Sequence, residues 1–199
     1  MNYLAHAWLS FRQPEILVGN MISDFVKGKK RYDYPPVIQL GITLHREIDR
    51  FTDDHPEVKK AKEVFRPAYR LYSAALVDVV FDHFLATDKN EFKEGQLDFF
   101  VKETYSTLSM YTDFFPEKFE RMFPFMKTQN WLYNYQFRWG IEKSLGGVVH
   151  RSKYMEESET AFRVFNEHFS MLESCYRIFF PEVKNLALDF LQKKHDLNF

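Results

Sequence analysis

The stretch ALVDVVFDHFLA, residues 75–86, decides how the rest of the chain is read. Leu76, Val77, Val79, Val80, Phe81, Phe84 and Leu85 point in nearly every direction around a helix of about 3.6 residues per turn. No segment of the chain shows sustained period-two alternation closed by Asn-Gly or Asp-Gly, so β structure has little support. The stretch therefore predicts a helix buried on all sides, and a helix of that kind needs other helices around it. Three polar residues, Asp78, Asp82 and His83, interrupt it.

Outward from this helix, prolines supply the punctuation. Pro14, Pro36, Pro56, Pro116 and Pro181 each precede a run with helical spacing, as expected of first-turn positions. The pattern predicts helices over residues 3–12, 14–27, 36–51, 56–86 (broken or bent around Pro67), 90–112, 116–127, 129–144, 155–179 and 181–195. The longest connections fall at 28–35 and 145–154, the latter marked as a loop by Gly146 and Gly147. With no repeat and no Ser/Gly linker, the expectation is an all-α fold, one compact helical domain over residues 1–199. The aromatic rows Phe115, Phe119, Phe123, Phe125 and Trp131, Tyr135, Trp139 read as packed core.

Composition narrows the class. The chain has 199 residues, 45% of them hydrophobic and 18% aromatic, which excludes global disorder. Seven glycines and eight prolines fall short of average usage, about 12% combined, and disfavour turn-dense sandwiches and barrels. The net charge of -1 lacks the basic excess of a nucleic-acid-coating protein, so no nucleic-acid partner is expected. The single cysteine, Cys175, reads as a buried helix residue rather than a reactive thiol. MNYLAHAWLSFRQPE lacks the basic and uninterrupted apolar regions of a signal peptide. No stretch reaches the ~18 apolar residues of a spanning helix. The expected setting is the cytoplasm, with no membrane partner.

The chemistry concentrates in the first 83 residues, which hold His6, His45, His55 and His83 and seven of the twelve aspartates. His45 and Asp49 stand four apart in GITLHREID, on one face of a helix. That spacing suits a metal or a buried His–Asp hydrogen bond. Asp78 and Asp82 repeat the spacing on the apolar helix, where two like charges repel unless a cation or proton lies between them. Capping, or pairing with Arg46 or Arg70, is the alternative. Asp24, in GNMISDFVKG, sits near a helix C-terminus, where the helix dipole disfavours a carboxylate, so it has a task other than helix stability. His6 alone fits a satisfied core histidine, and His55, before Pro56, fits a helix N-cap.

Imidazole with carboxylate suits hydrolytic Mn, Fe, Zn or Mg centres. There is no glycine-rich phosphate loop, GxSxG elbow or HExxH pair. Four blocks, NYLAH, GNMISDFVKG, GITLHREIDRFTDDHPEV and LVDVVFDHFLA, together resemble the acyl carrier protein phosphodiesterase family and occur in its order. The resemblance implies hydrolysis of the phosphodiester joining 4'-phosphopantetheine to a serine of holo acyl carrier protein. It also implies dependence on Mn, with Mg or Fe as other divalent candidates, and an all-helical fold like that of HD-type phosphohydrolases. Those enzymes carry His-Asp where this chain has Asp82-His83.

On that basis Asp24, His45, Asp49, Asp82 and His83, joined by Asp78 and His6, are expected around one or two divalent metals. Asp24, Lys27, Arg46 and Arg50 are the expected catalytic groups, the three cations neutralising the phosphate. Carrier proteins are acidic, and basic residues for docking them occur at Lys27, Lys29, Lys30 and Arg31 and at Lys59, Lys60, Lys62, Arg66 and Arg70. Two other functions remain open at this point. One is a phosphohydrolase of nucleotides or other small phosphoesters; the other is a non-catalytic helical interaction protein, which would hold no divalent metal.

Overall fold

A computed structural model describes residues 1–151 and 159–195. The helices are α1 (Tyr3–Trp8), α2 (Pro14–Ile22), α3 (Pro36–Asp54), α4 (Pro56–Tyr69), α5 (Ser73–Thr87), α6 (Gln96–Ser109), α7 (Glu117–Thr128), α8 (Trp131–Asn134), α9 (Arg138–Arg151), α10 (Glu159–Glu167) and α11 (Phe169–His195). Among the described residues there is no strand, and no helix is long and apolar enough to cross a membrane. The fold is a single all-α domain.

The central helix is α5, buried from Val79 through Ala86 without a break. Each fully buried Val, Leu or Phe contributes about 1.5–3 kcal/mol, so this helix anchors the core. α1 lies on one side of it. On another, Phe81 and Phe84 meet Tyr176 and Phe179 of α11 in tilted and edge contacts. α4 ends after Pro67; Arg70 takes φ 44°, and a short 3-10 turn, Arg70–Tyr72, separates α4 from α5.

α2 and α3 touch backbone to backbone. A Cβ on Gly19 would come 2.1 Å from the Ile38 carbonyl oxygen, and one on Gly41 2.3 Å from that of Ile16. Only glycine permits this approach. It matters for function because Asn20 and His45 stand one residue and four residues beyond these contacts.

Several expected boundaries move. Pro181 lies inside α11, which runs unbroken because its flanks, Phe179, Phe180 and Val183, are all buried in the core. Gly146 and Gly147 belong to α9 rather than to a loop, since Leu145, Val148 and Val149 bury a helical face around them. The rest of the expected 145–154 loop, and residues 155–158 of the expected 155–179 helix, lie outside the described residues. Gly95, at φ 76°, delays α6 to Gln96. Part of the aromatic row is not core: Phe125 is 59% and Trp139 54% exposed, while Phe119 and Phe123 are buried.

Candidate functional site

Two helices bring three ligand-type side chains together. α1 supplies His6; α3 supplies His45 and Asp49, one turn apart as the spacing predicts. One ligand atom from each lies within 4.8 Å of the others. His45 Nε2 is 3.0 Å from Asp49 Oδ2, and His6 Nε2 is 3.3 Å from Asp49 Oδ1. The two imidazoles stack at 3.9 Å, nearly parallel, which aligns both Nε2 atoms on one carboxylate. Asp24, on the 3-10 turn Ser23–Phe25 that follows α2, reaches His45 Nε2 at 3.2 Å. The histidines are buried, whereas Asp24 and Asp49 open to solvent at side-chain exposures of 64% and 42%.

Asn20 fixes which nitrogen of each ring carries the proton. Its side chain donates through Nδ2 to the His6 carbonyl and to Ser10 Oγ, so its Oδ1 accepts from His6 Nδ1 at 2.8 Å. Its own carbonyl accepts from His45 Nδ1 at 2.7 Å. In the neutral state both rings therefore carry the proton on Nδ1, leaving two Nε2 lone pairs facing carboxylate oxygens. Acceptors facing acceptors repel unless a proton or cation lies between them. His6 Nε2 is buried and makes no hydrogen bond among the described residues.

A single proton is the most that stacked imidazoles accommodate comfortably, and the electrostatics divide accordingly. Burial disfavours the His45 cation, but the bonds to Asp24 and Asp49 outweigh it and carry the ring up to about 9. Burial and the neighbouring His45 charge push His6 down. Burial also works against ionised Asp49, but its contacts with both histidines hold it well below the usual carboxylate range. The bond to His45 holds Asp24 down as well.

The second set of candidates, on α5, has other partners. Asp82 is fully buried and accepts backbone N–H groups at the start of α1, from Leu4 at 2.7 Å and from Asn2 and Ala5 at 3.3 Å. A carboxylate there satisfies donors a helix cannot satisfy itself and complements its dipole. Burial nevertheless pushes Asp82 up to about 7, against the pull of those N–H groups. Asp78 pairs with the buried amino group of Met1 at 2.9 Å. His83 donates from Nδ1 to the Tyr135 carbonyl at 2.6 Å and packs among Phe84, Phe165 and Phe169. The structure does not bring Asp78, Asp82 or His83 into the histidine cluster; Asp82 instead seats the helix that carries His6.

The cations divide too. Arg46 donates to the Val26 carbonyl at 2.9 Å, bracing the turn that presents Asp24, rather than pairing with an aspartate. Arg50 pairs with Glu47 on the outside of α3. Lys27 is exposed, three residues past Asp24. His55 caps α4, accepting at Nδ1 from the Glu57 N–H, as its sequence position suggested.

Comparison with known proteins now bears on this geometry. Residues 1–183 match the family model described as Acyl carrier protein phosphodiesterase. The chain belongs to the acyl carrier protein phosphodiesterase family. A relative of that name from Enterobacter sp. (strain 638) is 33% identical over 184 residues, 92% of this chain and 95% of the relative. Relatives of the same name from Klebsiella pneumoniae (strain 342) and Yersinia pestis are 32% and 31% identical over 188 residues, 94% of this chain and 97% of each relative. No solved structure matches the chain. The four sequence blocks that resemble the acyl carrier protein phosphodiesterase family all fall inside the matched region.

Sequence reasoning did not single out Asn20 as a site residue. The available signal was an amide in the apolar run from Leu17 to Ile22, where a fully buried polar side chain needs a defined set of partners.

Proposed function

We propose that this protein hydrolyses the phosphodiester between 4'-phosphopantetheine and a serine of holo acyl carrier protein. Water adds to phosphorus, the bond to the serine oxygen breaks, and that oxygen leaves with a proton. The products are apo carrier protein and the free phosphorylated arm. Family membership and the names of the relatives support the substrate. The single observation that carries the chemistry is the pair of Nε2 atoms turned on the Asp49 carboxylate.

We infer that His6, His45 and Asp49, with Asp24 at the mouth, hold a divalent cation, Mn foremost, with Mg or Fe in its place. Two imidazole nitrogens and carboxylate oxygens suit such an ion, and the orphaned His6 Nε2 is accounted for by it. When bound, the ion supplies Lewis acidity toward a phosphoryl oxygen and toward water. The chain does the rest. Asn20 keeps both rings on the tautomer that offers Nε2, and Ser10 and the His6 carbonyl hold Asn20. Asp24, exposed and ionised, is placed to take a proton at a carboxylate oxygen. Lys27, exposed three residues past Asp24, is the cation assigned to the phosphate charge. Arg46 keeps the turn between them in place.

The docking surface follows from charge. Lys27, Lys29 and Lys30 are exposed three to six residues past Asp24, and Arg31 stacks over the Tyr32 ring. By contrast Lys59, Lys60, Lys62 and Arg66 on α4 are paired with Asp54, Glu57, Asp53 and Glu63. An acidic carrier protein is steered to the first group rather than to the second.

The test is intact-mass analysis of purified holo carrier protein incubated with this protein, with and without Mn. Loss of the phosphopantetheine mass only when Mn is present is expected. An unchanged mass under Mn, Mg and Fe, with nucleotides hydrolysed readily, would replace this reading with that of a small-phosphoester hydrolase.

A further inference from the structure

A cavity between the start of α1, α8 and α9 is used by nothing described so far. It is a cavity of about 170 Å³, partly open to solvent, and its walls include Tyr3, Trp131, Asn134, Trp139, Lys143 and Ser144. Resting on the reading of holo carrier protein as substrate, we propose that this cavity binds the pantetheine arm, a flexible chain with two amide groups and a terminal thiol.

Position is the first argument. Tyr3 lines the cavity and His6 follows three residues later on α1, on the same side of the helix. α7 touches both places. Its Met122 Sδ lies 3.6 Å from Tyr3 Oη, and its Phe119 ring 5.6 Å from the ring of Phe25, the neighbour of Asp24. Residues 119 and 122 are about one helical turn apart, a rise of roughly 5 Å. The turn that carries Asp24 and the Tyr3 wall of the cavity thus both border α7, about one helical turn apart along it.

Construction is the second. Gly140 lets α9 close on α8, since a Cβ there would come 1.9 Å from the Asn134 carbonyl oxygen. Trp139 is over half exposed, yet its ring is held flat against Phe137 at 5.7 Å and 9°. An indole held in this way, at the rim of a cavity, offers an apolar face for one wall of a ligand site. Chemistry is the third. Indole faces suit methyl and methylene groups; the Asn134 Nδ2 and the Ser144 hydroxyl donate to the Gln129 and Gly140 carbonyls, which leaves their oxygens to accept from amide N–H groups and the Lys143 ammonium to donate to amide carbonyls. A nucleotide would call for a phosphate cradle, and the walls offer one cation.

The experiment uses tryptophan emission. Trp8, Trp131 and Trp139 are the tryptophans of the chain, and Trp8 packs elsewhere, against Phe92 and Phe100. A Trp8→Phe protein therefore reports on the cavity alone. Reduced pantetheine is expected to change its emission saturably, and Ser144→Phe in that background to weaken binding at least tenfold. Should Ser144→Phe lower the melting temperature, Lys143→Ala at its exposed position is expected to weaken binding about threefold. No saturable change, or unchanged affinity in folded variants, overturns the proposal. Holo carrier protein turnover is measured in parallel by intact mass. Turnover without a pantetheine response removes the cavity and leaves the functional reading standing. A pantetheine response without turnover keeps the cavity and removes the functional reading. Absence of both overturns both.

Discussion

Two groups of aspartate and histidine lie close in this fold, and they differ in what faces them. On α5, every polar side chain meets a donor or acceptor of the opposite kind: Asp82 takes three backbone N–H groups, Asp78 the Met1 amine, and His83 gives a proton to a carbonyl. On α1 and α3, imidazole lone pairs meet carboxylates, and one buried nitrogen has no hydrogen bond among the described residues. The first group is complete within the protein. The second is complete only with a proton or cation added, which is why it, and not the first, is the proposed metal site.

The largest expected effects break the two groups in different ways. Asp82→Ala leaves the buried N–H groups of Leu4 and Ala5 and the half-buried one of Asn2 without their carboxylate acceptor and should cost about 3–5 kcal/mol, with or without metal. Asp49→Ala should instead abolish the rise in melting temperature on adding Mn, a rise of about 2.7 kcal/mol in stability at a hundredfold excess over Kd. Differential scanning calorimetry with and without Mn separates the two outcomes; equal responses to metal in both variants would erase the distinction.

The pH dependence comes next in size. His45 sits at about 9 in the folded protein against about 6.5 unfolded. Its contribution is therefore fully present below about 6.5 and lost as pH rises toward 9, at most roughly 3.5 kcal/mol at about 1.4 kcal/mol per pKa unit. The burial of Asp82 adds a fall of the same sign that ends near 7. The lowered His6 acts below 6.5 and with the opposite sign. Metal affinity should move the other way, rising over the same interval because the ion competes with the His45 proton. Chemical denaturation of chelated protein from pH 6 to 9, beside Mn titration over the same range, should show opposite slopes; parallel slopes would contradict the shared site.

Gly41→Ala probes the frame rather than the ligands. Forcing a methyl onto the Ile16 carbonyl should cost about 1–3 kcal/mol and loosen Mn binding by displacing His45 from Asn20. Retained affinity with lowered stability would show that the α2–α3 contact does not position the site. The smallest effect concerns docking. Reversing Lys29 and Lys30 should lower kcat/KM for holo carrier protein about tenfold at low salt, roughly 1.4 kcal/mol, while reversing Lys59 and Lys60 should change it less than threefold. Equal losses from the two patches would remove the steering argument.

Much of this was legible in the chain. The all-round apolar pattern of residues 75–86 identifies a central helix, and the four-residue spacing of His45 and Asp49 places both on one face. The role of Asp82 was not legible, because spacing shows which residues share a face but not which helix end will lie against it. His6 and Asn20 belong to the site through the glycine contact of α2 with α3 and the seating of α1 on Asp82, both tertiary facts. Gly146, Gly147 and Pro181 misled for a related reason: their local preference for turns is overridden where neighbouring residues bury a helical face.

The central claim is that the ion belongs to His6, His45 and Asp49. Equilibrium Mn binding, followed by the electron paramagnetic resonance signal of free Mn, tests it on wild type, Asp49→Asn and Asp78→Asn. The account predicts saturable binding to wild type, a loss of at least a hundredfold in Asp49→Asn, and affinity within threefold of wild type in Asp78→Asn. Binding that survives Asp49→Asn and is lost in Asp78→Asn would place the ion on α5 and contradict the account.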